Sequence, residues 1–235
     1  IIGFSELGGH FAGMQGAEQL QQMFTSVHSG GQRMLTLVNG LLDVSKIDGR
    51  VGTLALERQE LCTLVDELLP EMSPLLDARH LKLQWRRSHS PAWALAHSFR
   101  LQQVLRNVLA NAIRFAPEGS ALELSLRDDA DTGLTLSVRD HGPGIPPDEL
   151  ETIFEPFVQS SRTADGSGGT GLGLAICRRI IACHGGRIWA TLPHDGGSCF
   201  HVWLPPCPAG DGPSTPVLPM PSAAQGSAAE HLSPA

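Results

Sequence analysis

Two asparagines and an arginine recur three or four residues apart in Asn107-Val108-Leu109-Ala110-Asn111-Ala112-Ile113-Arg114. On a helix that spacing puts Asn107, Asn111 and Arg114 on one face, beside apolar neighbours that include Val104, Leu105, Val108 and Leu109. A buried amide left unpaired costs about 1 to 3 kcal/mol, so such a face calls for a partner. An asparagine oxygen suits a hard cation such as magnesium, which keeps several waters and takes phosphate oxygens as its remaining ligands. Taken alone, the stretch reads as a helix with two asparagines turned to solvent.

A second stretch, Asp140-His141-Gly142-Pro143-Gly144-Ile145-Pro146, closes a strand in which Leu134, Leu136 and Val138 alternate with polar residues. Gly142 and Gly144 allow a flat ring to lie against the loop while the Asp140 carboxylate accepts from its amino group, which favours adenine over guanine. By itself the pattern describes an ordinary turn. A third, Gly166-Ser167-Gly168-Gly169-Thr170-Gly171-Leu172-Gly173-Leu174, runs into an apolar helix. Unpaired N–H groups and the helix dipole can hold phosphate there without a lysine, although a flexible loop fits the glycines equally well. Only two lysines occur, Lys46 and Lys82, among 17 basic residues, so no G-x-x-x-x-G-K-[ST] loop exists. Between these stretches Phe154 and Phe157 read as core aromatics. Residues 160–168 read as a mobile lid, in which Arg162 is a solvated side chain.

Several elements must position these residues. From Ala17 to about Asp48 a helical stripe runs through Leu20, Phe24, Val27, Met34, Val38 and Leu41, and Ile1–Leu7 reads as the end of an earlier helix. The two make a hairpin over 1–49, completed by a second chain as a four-helix bundle or by packing on the chain's own next domain. Residues 50–206 alternate strands and helices as a mixed α/β domain. We expect strands at Leu54–Glu57, Leu81–Arg86, Leu122–Arg127, Leu134–Arg139, Arg187–Thr191 and Phe200–Leu204, mostly in one antiparallel run. Helices are expected at Leu61–Ala78, Ser98–Phe115 and Leu172–Cys183. Residues 207–235, rich in Pro, Ala, Gly and Ser, form a disordered tail. The fold class is therefore α+β: a helical hairpin followed by a two-layer α/β domain.

The chain has 235 residues, 41% hydrophobic and 17% charged, with a net charge of −7 and no cluster of basic residues, which argues against a nucleic-acid face. No apolar run approaches a membrane span, and the opening without methionine suits a fragment of a cytoplasmic protein. The five cysteines, with no C-x-x-C pair, read as reduced and mostly buried.

In this order and at these separations the stretches are far more specific than any one of them. N-V-L-A-N-A-I-R-F-A-P, D-H-G-P-G-I-P, I-F-E-P-F and G-T-G-L-G-L-A-I-C, closed by G-G-S-C-F-H-V-W-L-P, resemble the N, G1, F and G2 boxes of bacterial two-component sensor histidine kinases. I-I-G-F-S-E-L and L-V-N-G-L-L-D-V-S-K-I-D resemble that family's dimerisation and phosphotransfer hairpin. The resemblance implies a Bergerat-type α/β sandwich that binds Mg-ATP and passes the γ-phosphate to a histidine, for relay to an aspartate on a separate response regulator.

The resemblance also assigns roles: Asn111 to magnesium, Asn107 as its companion, Arg114 near the phosphates and Phe115 beside the adenine. Asp140 reads the base with Ser198 in support, and Gly142 and Gly144 line it. Gly169, Thr170, Gly171, Leu172 and Gly173 approach the phosphates. Hydrolytic members of the superfamily carry a glutamate base where Asn107 stands, so asparagine fits transfer better than hydrolysis. The acceptor stretch H-E-L-R-x-P is not in this chain, and His10 and His28 lack the acidic neighbour an acceptor would have. His97 stands where the family often has an aspartate cap. An anti-sigma-type serine kinase, a hydrolytic ATPase and a non-catalytic dimerisation module are the competing readings.

Overall fold

A computed structural model of the protein describes residues 23–28, 30–31, 34, 55–129, 133–163 and 170–207. Residues 23–28 are helical. Apart from residues 23–28, 30–31 and 34, the expected hairpin over 1–49 lies outside the described residues, as do residues 164–168 of the expected lid, Gly169, and residues 208–235 of the expected tail.

Strand β1 (Glu57–Glu60) leads directly into helix α1 (Leu61–Ala78) because Glu60 is both strand end and cap. Its carboxylate accepts from the N–H of Cys62 at 3.2 Å and of Thr63 at 2.6 Å, satisfying two of the orphan donors of the first turn. Helix α1 buries Leu61, Leu64, Val65, Leu68, Met72 and Leu76, and carries Pro70 and Pro74 on its exposed side. The hydrogen bonds those prolines remove therefore face water, which explains why the helix survives them.

Then come β2 (Lys82–Arg86), β3 (Trp93–Ala96) and helix α2 (Ser98–Phe115). They are followed by β4 (Ala121–Asp129), β5 (Gly133–Asp140), helix α3 (Gly173–Cys183), β6 (Arg187–Thr191) and β7 (Ser198–Leu204). Two single-turn 3-10 helices, Pro147–Glu149 and Thr152–Phe154, lie between β5 and α3. Five strands form one sheet in the order β2-β4-β5-β7-β6, and β1 pairs with β3 in a separate ribbon. The β2–β4 pairing is parallel and every other pairing antiparallel, so the expected antiparallel run stops at β4.

One face of the sheet is apolar and the helices cover it. Leu122, Leu124, Leu136, Val138, Val202 and Leu204 alternate inward along three adjacent strands, against Val65, Leu68, Val104, Val108, Ile180 and Ile181 of the helices. Two strand expectations need correction. Of the expected strand Leu54–Glu57, Leu54 lies outside the described residues and Ala55 and Leu56 are not strand; the strand is Glu57–Glu60, where the ribbon register with β3 rather than apolar alternation decides the pairing. Trp93–Ala96 is an additional strand whose inward residues, Ala94 and Ala96, are small and poor strand formers.

The start of α2 is held in an unexpected way. His97 occupies the cap position without a side-chain bond to the helix, and its backbone N–H instead donates to Nε2 of His184 at 3.0 Å. Nδ1 of His184 donates to the Ile180 carbonyl at 2.8 Å, which fixes the neutral tautomer of a fully buried ring. Burial holds the His184 pKa below its ordinary value, and the Ile180 bond only partly opposes this. A depressed histidine favours folding while neutral, so stability is full above the unfolded value of about 6.5 and declines as pH falls below it. His184→Leu should lower stability by about 1–3 kcal/mol, because the His97 N–H is left buried without an acceptor. Denaturant titrations at several pH values should also show a shallower acid slope in that variant. His201, held low by burial and by Arg127, contributes to the slope that remains, and the carboxylates held below their ordinary range, Glu60, Glu71, Glu149 and Asp195, add to it at lower pH. An unchanged midpoint and an unchanged slope would contradict this.

Candidate functional site

Helix α2 supplies one wall of a cavity of about 450 Å3, through Gln103, Asn107, Asn111, Arg114 and Phe115. Its opposite face, with Val104, Leu105, Val108 and Leu109, is buried in the core. The asparagines are therefore half-buried and face a hollow, not open solvent. Asn107 donates from Nδ2 to the carbonyl of Gly173 at 3.4 Å, tying α2 to the start of α3 and leaving its own oxygen as the acceptor end. The Arg114 guanidinium lies over the Phe115 ring, 5.1 Å from its centre.

Asp140 closes the far end of the cavity. The pairing of β5 with β7 sets it opposite Ser198, whose hydroxyl donates to Oδ2 at 2.5 Å, while the Gly142 N–H donates to Oδ1 at 2.8 Å. The carboxylate is 2% exposed. A charged group so deep is tolerable only with such donors, and its remaining lone pairs can take an amino group in the cavity. Gly144 lines the cavity at φ +72°. Gly142 stands behind it: a Cβ there would come within 2.5 Å of the Phe115 carbonyl oxygen, so glycine is what lets the loop close onto α2.

Thr170, Gly171, Leu172 and Gly173 form the third wall. Helix α3 begins beside the cavity with no side-chain cap at Leu172, so its first N–H groups are available to an anion. Gly171 adopts φ +68°, and a Cβ on it would meet the Phe157 backbone at 2.6 Å. The Phe157 N–H donates to the Gly171 carbonyl at 3.0 Å. Phe154 is buried edge-on against Phe200, as a core aromatic should be, whereas Phe157 adopts φ +66° and is 61% exposed, so only the first of the two is core. Gly171→Ala should cost about 1–3 kcal/mol from backbone conformation alone. Thermal denaturation should register this as a lower midpoint, and an unaltered midpoint would refute the close crossing.

Arg162 is exposed, as expected of a solvated side chain, but it is also tied to the neighbouring loop. Arg162 donates from Nη1 to the Pro143 carbonyl at 2.7 Å, fastening the start of the lid to the Asp140 loop. Glu149 assists by accepting from the Ser161 N–H at 3.0 Å; bonds from Ser161 and Ser160 hold its carboxyl below the usual range. Under α2, Cys177 is fully buried and donates to the Val104 carbonyl at 3.8 Å; burial pushes its thiol up to about 12 and makes it inert. The other four cysteines are only half-buried, so fewer are buried than expected, and none of the five forms a disulfide.

Sequence reasoning missed the apolar lining. Ile145, Ile153, Ile176 and Phe200 sit in the walls and are each less than a tenth exposed. Phe200 could have been found, since it lies two residues beyond Ser198 on one strand and must share its face. Ile153 and Ile176 carried no signal distinct from core residues. Gln103 was missed too, although its place one turn of helix before Asn107 could have found it.

The donor set suits magnesium. Among the described residues no three His, Cys, Asp or Glu side chains converge, so an ion here must draw most of its ligands from a bound anion and water. The amides of Asn107 and Asn111 supply neutral oxygens on the wall that faces the α3 start.

Fold and site together define an ATPase domain of the Bergerat type. Residues 96–208 match the model of the Histidine kinase-, DNA gyrase B-, and HSP90-like ATPase family. The adaptive-response sensory kinase SasA of Prochlorococcus marinus (strain MIT 9303) is 34% identical over 146 residues, 62% of this chain and 40% of the relative. The alginate biosynthesis sensor protein KinB of Pseudomonas aeruginosa is 34% identical over 173 residues, 74% of this chain and 28% of that relative. Among solved structures, the catalytic domain of histidine kinase ThkA aligns with a TM-score of 0.57 at 29% identity, covering 65% of this chain and 98% of that one. Full-length ShkA in complex with AMPPNP aligns with a TM-score of 0.66 at 27% identity, covering 86% of this chain and 40% of that one. Residues 96–208 therefore form a domain of that ATPase family, and the chain is similar to sensor kinases, spanning about 40% of the length of the SasA relatives it matches. No helix among the described residues is long and apolar enough to cross a membrane.

Proposed function

We propose that this chain is the ATP-binding end of a sensor histidine kinase, which binds Mg-ATP and transfers the γ-phosphate to a histidine on a dimerising helical hairpin. The observation that carries this is the convergence of Asn107, Asn111, Asp140, Ser198 and the start of α3 on one cavity. Asp140, oriented by Ser198 and Gly142, takes the adenine amino group, and Ile145, Ile153 and Phe200 hold the ring apart from water. The first turn of α3 and Arg114 receive phosphate oxygens. Asn111, with Asn107 beside it, would hold magnesium, which would supply positive charge to offset that of the phosphates.

The domain supplies position and charge for the transfer and no covalent group. In the reaction a neutral imidazole nitrogen uses its lone pair to form the new P–N bond as the P–O bond to ADP breaks. That electron pair leaves on ADP, and the other ring nitrogen releases its proton. A receiver aspartate on a separate response regulator would take the group onward, and residues 1–49 would form the dimerising hairpin of a cytoplasmic portion. Residues 50–206 would be the catalytic domain, and 207–235 a tail.

The full-length protein incubated with γ-labelled ATP and magnesium should acquire an acid-labile, base-stable phosphate and release little free phosphate. Rapid phosphate release without protein labelling would instead favour a hydrolytic ATPase, and acid-stable labelling a serine kinase.

A further inference from the structure

Gln103 stands one turn before Asn107 on α2, so it shares the face of Asn107, Asn111 and Arg114 and lines the same cavity. At a rise of about 1.5 Å per residue it lies about 6 Å along the helix beyond Asn107, on the side away from Arg114. Arg100, three residues earlier, donates from Nη1 to Gln103 Oε1 at 2.8 Å. A guanidinium can only donate, so this bond decides which end of the amide is the oxygen. The nitrogen, with its two donors, is then the end that Gln103 can offer to an anion.

The cavity needs such a donor. Among the described residues Arg114 is the only fully charged cation that lines it, and Arg114 sits beside Phe115, eleven residues along α2 from Gln103. A nucleotide anchored by its base at Asp140 and by its phosphates at Asn111, Asn107 and the α3 start carries its terminal phosphate away from Arg114. Charge that develops on the equatorial oxygens during transfer then falls beyond the reach of that cation.

We propose, on the reading of the site given above, that Gln103 donates to the terminal phosphate during transfer, and that Arg100 is the positioning residue that orients it. Donation to developing charge lowers the barrier without tightening ground-state binding, so its loss appears in kcat and not in KM.

The test uses full-length protein with its acceptor histidine, and the variants Gln103→Ala, Arg100→Ala and the double variant. We expect the labelling rate at saturating ATP to fall about 10- to 100-fold in Gln103→Ala, with Mg-ATP affinity within about twofold of wild type. Arg100→Ala should show the same split, and the double variant should be no slower than Gln103→Ala, because both act through one amide. Melting temperature identifies a variant that fails by unfolding. Should Gln103→Ala fail in that way, Arg100→Ala still tests the pair, since it leaves the amide in place and removes the bond that orients it. Wild-type rates in Gln103→Ala, or losses that multiply in the double variant, overturn the assignment while nucleotide binding stands. Wild-type protein that binds no Mg-ATP overturns the underlying reading as well.

Discussion

Asn111→Ala should weaken ATP binding in magnesium about 100-fold, while leaving the weak binding measured in excess chelator unchanged. Asn111 lines the cavity one turn from Phe115 and one from Asn107, on a helix otherwise locked into the core by Val108, Leu109 and Ala112. Truncating it removes one neutral oxygen ligand and leaves the helix intact. A 100-fold loss corresponds to about 2.7 kcal/mol, a reasonable cost for one ligand to an ion that the protein otherwise contacts sparingly. Calorimetry with and without magnesium separates this from a general defect, because a damaged base pocket would lose affinity in both conditions. Equal affinity of variant and wild type in magnesium would remove Asn111 from the metal.

The second large effect is at Asp140. Asp140→Asn preserves shape but not chemistry. One amide end must face the Gly142 N–H, which can only donate, so the oxygen goes there and the NH2 turns toward Ser198 and the cavity. A donor then confronts the adenine amino group where an acceptor stood. Sites built to hydrogen-bond a substrate discriminate strongly because mismatched buried polar groups are left unpaired. We expect ATP affinity to fall at least about 100-fold and the preference for ATP over GTP to collapse or reverse. Competition binding with both nucleotides measures this, and melting temperature serves as the control for folding. A retained preference for ATP would show that the base is read elsewhere.

How much of this was visible in the sequence depended on whether each feature is local. Helices α1 and α2 begin and end at the expected residues, because an apolar stripe with a 3.6-residue period survives even Pro70 and Pro74 on its exposed side. Strand β3 escaped because Ala94 and Ala96 bury well but carry no strand signature. The link between His97 and His184 spans 87 positions and involves two residue types with no required spacing, so only the fold could show it. Within the site the polar residues were legible from their boxes, yet Gly142 was expected to line the base and instead permits contact between the loop and α2. Phe157 was expected in the core by its type; the crossing with Gly171 turns it outward.

A crystal structure of this chain with magnesium and a non-hydrolysable ATP analogue would test the central claim most directly. It should show the adenine amino group on Asp140, the metal on the Asn111 side-chain oxygen, and phosphate oxygens against the first N–H groups of α3. A nucleotide seated outside this cavity, or a metal with no contact to Asn111, would contradict it.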